Sequence, residues 1–190
     1  NPKVFVLASG LYMPNGIAFH ENNLYVAEIH RVLKFENIEE SLNALIQTND
    51  FNTNALSYSV ISSYPKDRHH GWRYIVVGPD KKLYVPIGAP CNVCDEPGYA
   101  VITKINLDGS EKETIATGIR NTVGMTFHPQ TNELWFTDNG RDMLGDDIPP
   151  GELNKVSFKG EHFGFPFCHG SDIADPQYGS LGSCNDITAP

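Results

Sequence analysis

The chain has 190 residues, 40% of them hydrophobic, and a formal charge of −9. This is enough apolar material for one buried domain spanning residues 1–190. The shortage of Lys and Arg excludes a nucleic-acid surface, which needs clustered cations to neutralise phosphate, and the longest apolar runs, such as 74–77 and 83–85, fall far short of the ~20 residues of a membrane helix.

The N-terminus, Asn1-Pro2-Lys3-Val4, has neither an initiating Met nor a basic-then-apolar leader, and reads as a processed end or the start of an excised domain. Residues 4–35 hold a first unit. Its strands are expected over 16–20, 24–28 and 31–35, with a turn at Glu21-Asn22-Asn23, and together they describe an antiparallel meander. Residues 36–50 carry Ile38, Leu42, Leu45 and Ile46 at helical spacing, and are expected to form a helix or an irregular insertion. Weak alternation over 51–64 leads to a polar approach, Pro65-Lys66-Asp67-Arg68.

The stretch from His69 to Val85 sets two histidines and Arg73 before an apolar strand (74–77), a tight Gly78-Pro79-Asp80 turn and a second strand (83–87). A loop rich in Pro and Cys follows, then a strand over 100–105 and a turn at Asp108-Gly109. A third unit repeats the pattern with strands over 124–129 and 134–138, an acidic loop over 139–152, and an aromatic tail at 163–167. Phe19 with 24–26, Val77 with 83–85 and Phe127 with 134–136 superpose at a period of roughly fifty residues, the range in which propeller arrays are suspected. The fold class expected is therefore all-β, a β-propeller of which about three to four blades are present, because a lone sheet of this pattern cannot bury both faces and a ring of sheets can.

Cys91 and Cys94 form a Cys-x-x-Cys within a Pro/Gly-rich loop, and Cys168 and Cys184 lie sixteen residues apart. The first pair does not open a helix, where a dipole would lower a thiol pKa. Two disulfides in a periplasmic or secreted protein are expected, with a four-Cys metal site or free thiols as alternatives.

Equivalent loops of successive units should converge at one end of the array. They bring His69, His70 and Arg73, the pair Arg120-Asn121, and the Asp/Gly-rich loop 138–147. A histidine is a general base near neutral pH, arginine a planar fork for carboxylates or an oxyanion, and carboxylates with glycine-exposed carbonyls suit calcium. The plain alternatives are a surface histidine pair, a capped turn and a solvated acidic loop.

The segments Gly118-Ile119-Arg120-Asn121, 124–129, 134–140, the hairpin ending in 77–85 and Gly160-Glu161-His162-Phe163-Gly164-Phe165-Pro166 together resemble the glucose/sorbosone dehydrogenase family of quinoproteins. His69, where glucose-oxidising members have an acidic residue, and Ala89-Pro90 with the cysteine loop resemble the sorbosone-type branch. The resemblance implies a six-bladed propeller that oxidises an aldose or related sugar or aldehyde with pyrroloquinoline quinone (PQQ) and calcium, and passes electrons to a further acceptor. It implies His70 as catalytic base, Arg120 and Asn121 as cofactor-binding, Gly140 and Arg141 as carbonyl ligands of calcium, and Asp146 and Asp147 as the acidic pair behind it. It also implies that the chain is the N-terminal half of a longer member, the ring being completed by later blades or by a second copy in a homodimer. A calcium-dependent propeller hydrolase of the lactonase type, using Glu28 or Asp146, and a non-catalytic propeller binding module are the alternatives.

Overall fold

The computed structural model describes residue 4 and residues 6–48 and 56–190; the expectations for the extreme N-terminus and for 51–55 lie outside them. The first sheet consists of β1 (Gly16–His20), β2 (Asn23–Ala27), β3 (Arg31–Phe35) and β4 (Ser59–Ser63), antiparallel and in chain order. Glu21 and Asn22 sit at φ 45° and 64° between the paired ends His20 and Asn23. Two consecutive left-handed residues match the right-handed twist of the flanking strands, which makes this a tight hairpin. The expected helix is α1 (Ile38–Thr48), with Glu39 and Glu40 in its first turn, where negative charge meets the positive end of the dipole. Asn22 Oδ1 accepts from the Glu39 N–H at 3.0 Å. Ile38 is buried and Leu42 packs beside it against Val26, Leu33 and Phe35, so α1 covers one face of the first sheet, while Ile46 stays exposed.

The second sheet contains β5 (Val76–Val77), β6 (Lys82–Ile87), β7 (Val101–Asn106) and β8 (Glu113–Thr117). The third contains β9 (Met125–Phe127), β10 (Leu134–Asp138) and β11 (Glu152–Val156). After β11 the chain returns to the second sheet, and β12 (Glu161–His162) pairs parallel with β8. A small ladder of β13 (Cys168–His169) and β14 (Ile173–Ala174) follows. The hairpins β1–β2, β5–β6 and β9–β10 occupy the three superposed stretches of the sequence.

Side chains of β6 alternate between two cores. Leu83, Val85 and Ile87 meet Tyr25, Ala27 and Val32 of the first sheet, whereas Tyr84 faces Met125, Leu134 and Phe136 of the third. Because both faces of the second sheet are covered, its strand β6 reads as a continuous apolar run over 83–87 rather than as polar–apolar alternation. The strand expected over 74–77 is shorter than its sequence suggests, because Arg73 is drawn into the interior and the chain is irregular until Val76. The chain is thus mostly β, built of antiparallel sheets, and among the described residues no helix is long and apolar enough to cross a membrane.

Phe136 is 1% exposed and meets the Phe163 ring edge-on at 5.0 Å between centroids. Phe136→Ala is expected to cost about 3–5 kcal/mol through lost burial and the cavity left behind, read as a lower urea midpoint with an unchanged slope.

Candidate functional site

The segment before β5 is held by Arg73, which is buried and has no carboxylate partner among the described residues. Its guanidinium donates to three carbonyls, those of Ile29 (3.0 Å), Pro65 (3.2 Å) and Pro86 (3.4 Å). Burial lowers its pKa to about 10, still far above neutrality, so the charge remains. A planar fork is suited to gathering carbonyls from three separate segments.

That anchoring leaves His70 at φ 47°, an uncommon conformation for a non-glycine residue. Its Nδ1 lies 2.8 Å from the Ala89 carbonyl oxygen, which can only accept, so Nδ1 carries the hydrogen and Nε2 the lone pair. Burial first, then the charge of Arg120 and the neighbouring His69, push the His70 pKa down to about 4. The imidazole is therefore neutral at physiological pH. Gly88 makes the approach possible: a Cβ there would stand 2.6 Å from His70 Cβ and 3.2 Å from the Arg120 carbonyl oxygen. His70 lines an open cavity of about 450 Å³ in which Met13, Trp72 and Val123 form apolar wall and Arg68, His69 and Asn121 polar wall. Trp72 and Val123 are exposed there.

Arg120 and Asn121 follow the left-handed Gly118, where a Cβ would collide with His162. Their backbone N–H groups donate to the two oxygens of Asp138, at 2.8 and 2.6 Å. Burial pushes the Asp138 pKa up to about 7 and Glu152 adds to that, while the two N–H donors and Arg120 oppose it. The Ala89 N–H donates to the Arg120 carbonyl at 2.8 Å, so one residue links the histidine to the arginine.

The Arg120 guanidinium spends all five of its donors inside the protein. Nε meets Asn92 O (2.8 Å), Nη1 meets the carbonyls of Asn139 (3.1 Å) and Gly140 (2.7 Å), and Nη2 meets Asn92 Oδ1 (2.8 Å) and Asp142 Oδ2 (3.0 Å). Arg141 points elsewhere and donates to Asp175 Oδ2 at 2.6 Å, an oxygen also 2.9 Å from His169 Nε2. Burial opposes the charge of Asp175, but His169, Arg141 and the backbone N–H groups of Tyr178 and Gln177 outweigh it and hold the pKa at about 2.

The structure thus brings His70, Arg120, Asn121 and the Gly140 carbonyl into one neighbourhood. It ties the Arg141 side chain to the C-terminal segment, and leaves Asp146 and Asp147 exposed with no hydrogen bond or ion pair among the described residues. Glu28 is buried and accepts from the Tyr12 N–H and from Arg31, so its carboxylate is already engaged. Cys91–Cys94 and Cys168–Cys184 are disulfides and no free cysteine is left. Sequence reasoning missed Asn92 and Asp175, and placed Asp138 and Asp142 in a cation-binding loop rather than against Arg120 and Asn121; for Asn92 the one usable signal was an amide-bearing residue enclosed by Cys-x-x-Cys.

Residues 101–190 match the family described as Glucose / Sorbosone dehydrogenase. An uncharacterized protein of Borreliella burgdorferi is 38% identical over 174 residues, which are 90% of this chain and 46% of that protein. The chain spans about half the length of this curated relative. Its fold is similar to the calcium structure of a Trichoderma reesei protein of carbohydrate-active enzyme family AA12, with 19% identity, a TM-score of 0.70, and coverage of 92% of this chain and 54% of that one. It is also similar to the holo form of the pyranose dehydrogenase PQQ domain from Coprinopsis cinerea, with 12% identity, a TM-score of 0.62, and coverage of 93% and 59%.

Two titrations follow from this geometry. The His70 ring protons are expected to titrate by NMR near pH 4 rather than 6.5. A depressed folded pKa means that this group's contribution to stability is present above about pH 6.5 and is lost as pH falls through about 4. Asp175 is likewise depressed, so its contribution is present above about pH 4 and lost towards about 2. Asp175→Asn should lower the melting temperature at pH 6 and flatten its decline between pH 4 and 2; an unchanged acid limb would contradict the assignment.

Proposed function

We propose that the chain is part of a PQQ-dependent dehydrogenase that oxidises an aldose or related sugar or aldehyde, and that its three sheets are successive blades of a propeller. The observation that carries this reading is a neutral His70, fixed by Ala89 and lining a cavity whose other walls supply flat apolar surface and hydrogen-bond donors. The family match over residues 101–190 and the similar fold of the pyranose dehydrogenase PQQ domain support the same chemistry. The exposed Leu153, on the strand that borders the third sheet, supports further sheets packing there, either later in the sequence or from a second copy. The two disulfides support a periplasmic or secreted location.

The cavity fits a planar anionic quinone. Trp72, Met13 and Val123 offer stacking surface, and Asn121 and Arg68 offer donors. Arg120 would act from behind, through its charge, since no N–H of its guanidinium is left for a ligand. Calcium would be held by the backbone carbonyls of Gly140 and Arg141; the Gly140 carbonyl accepts from Arg120 at 2.7 Å and keeps a second lone pair, and the exposed Asp146 and Asp147 lie further along the same loop.

PQQ, when bound, supplies the two-electron acceptor for hydride. His70 Nε2 would take the proton of the sugar hydroxyl, while the hydrogen on the same carbon would go as hydride to the bound acceptor and the C–O bond would become a carbonyl. The Nδ1–H held by Ala89 keeps the ring in the tautomer and orientation this transfer requires. An anion in the cavity would offset the charge of Arg120, the second cause of the depressed His70 pKa, while burial, the first, remains.

The test is dye reduction by the full-length protein titrated with PQQ and aldoses. His70→Gln is expected to lower kcat by about 10²–10⁴-fold with PQQ affinity within a few-fold of wild type. Full-length protein that is folded yet binds no PQQ would overturn the reading.

A further inference from the structure

We propose that Asn92 is a positioning residue of this site, latched by the Cys91–Cys94 disulfide, and that a dithiol reductant releases the latch. Asn92 lies inside the ring that the disulfide closes. It uses nearly every polar atom it has. Its carbonyl and Oδ1 accept from Arg120 Nε and Nη2, both at 2.8 Å, and the same Oδ1 accepts from the Asp142 N–H at 2.8 Å. Its Nδ2–H donates to the Asp142 carbonyl at 3.1 Å. Asp142 in turn accepts from Arg120 Nη2, so the three residues form a closed cycle.

The bidentate pairing of Asn92 with both backbone polar groups of Asp142 copies a rung of a β-ladder. It substitutes for ladder pairing at Asp142, which belongs to no strand, whereas Asn139 has its own backbone bond to the Asn121 carbonyl. Arg120 is 3% exposed, and a buried guanidinium that loses two of its five acceptors must move or rehydrate. Movement would carry with it the Asn139 and Gly140 carbonyls, which share Nη1. Asn92 therefore sets the position of two loops at once.

The disulfide matters because it fixes the direction in which Asn92 presents its carbonyl and its side chain. Both must point at the same guanidinium, which restrains the backbone and the rotamer together. Reduction by a dithiol breaks one S–S bond, forms two thiols on Cys91 and Cys94, and converts the reductant to its cyclic disulfide, with two electrons and two protons transferred. The ring opens and Asn92 regains its conformational freedom.

The experiment has an arm that does not depend on the dehydrogenase reading and one that rests on it. In the first, amide hydrogen exchange is followed without cofactor in the full-length wild type, Asn92→Ala, Asn92→Asp and Cys91→Ser/Cys94→Ser proteins. Exchange at Arg120, Asn121 and residues 139–142 should rise at least tenfold in the Ala and double-Ser proteins and in wild type treated with dithiothreitol, with β7 amides unchanged. Asn92→Asp keeps the side-chain acceptor for Arg120 Nη2 and the Asp142 N–H but loses the Nδ2–H donor to the Asp142 carbonyl, and should fall between wild type and Ala. In the second arm, PQQ affinity should fall tenfold or more in the Ala and double-Ser proteins and in reduced wild type, and be restored in part by Asp. Wild-type exchange rates in Asn92→Ala, or an Asp variant as labile as Ala, would overturn the latch. A wild type that binds no PQQ while the exchange pattern holds would sink the dehydrogenase reading and leave the latch standing.

Discussion

The site depends on one buried cation whose hydrogen bonds are all made at home. Arg120 sits at 3% exposure and takes its acceptors from three residues of the 139–142 loop and from Asn92 of the cysteine loop. Each such charge-assisted bond is worth about 1.5–3 kcal/mol against leaving the group unpaired, so loops that would otherwise drift are fixed to the tip of one side chain. The backbone beneath is fixed as firmly, because Asp138 caps the N–H groups of both Arg120 and Asn121. His70 joins the assembly through Ala89, and so the base, the cation and the loop carbonyls move together or not at all.

Other buried charges do the same work elsewhere. Arg73 collects carbonyls from Ile29, Pro65 and Pro86, Glu28 ties Arg31 to the Tyr12 backbone, and Asp175 gathers Arg141, His169 and two N–H groups. The sheets need no such help, since apolar side chains from their facing surfaces fill the spaces between them. Division of labour follows: hydrophobic burial holds sheet to sheet, and ions hold the irregular segments between strands, where backbone groups have no ladder to satisfy them.

This division explains what could be read in advance. Hairpins were legible because their turns carry explicit chemistry, such as Glu21-Asn22 and Gly78-Pro79-Asp80, and because the second sheet is apolar on both faces. β8, β11 and β12 were not, for they are short and carry Glu113, Thr114, Glu152, Lys155 and His162 among few apolar residues. The gathering of His70 with Arg120 and Asn121 followed from placing equivalent loops at one end of the array. What each group would be engaged with did not. A guanidinium in a sequence looks like a free donor, and only coordinates reveal that Arg120 has none left, that Asn92 is its partner, and that Asp175 claims Arg141.

The return of the chain to the second sheet through β12 bears on how the molecule assembles. Glu161 pairs with Ala116 and His162 with Thr117, so everything between them, the whole third sheet included, is a loop closed by one short parallel ladder. Thr117 also donates from its hydroxyl to the Glu161 carbonyl, 44 positions away. Contacts of such separation carry a larger chain-closure entropy than a hairpin and form after the local turns have been made. The β9–β10–β11 meander must therefore be in place before its exit strand can zip onto β8. Once zipped, the third sheet cannot swing away from the second without first breaking that seam, which makes the two a single cooperative unit in unfolding.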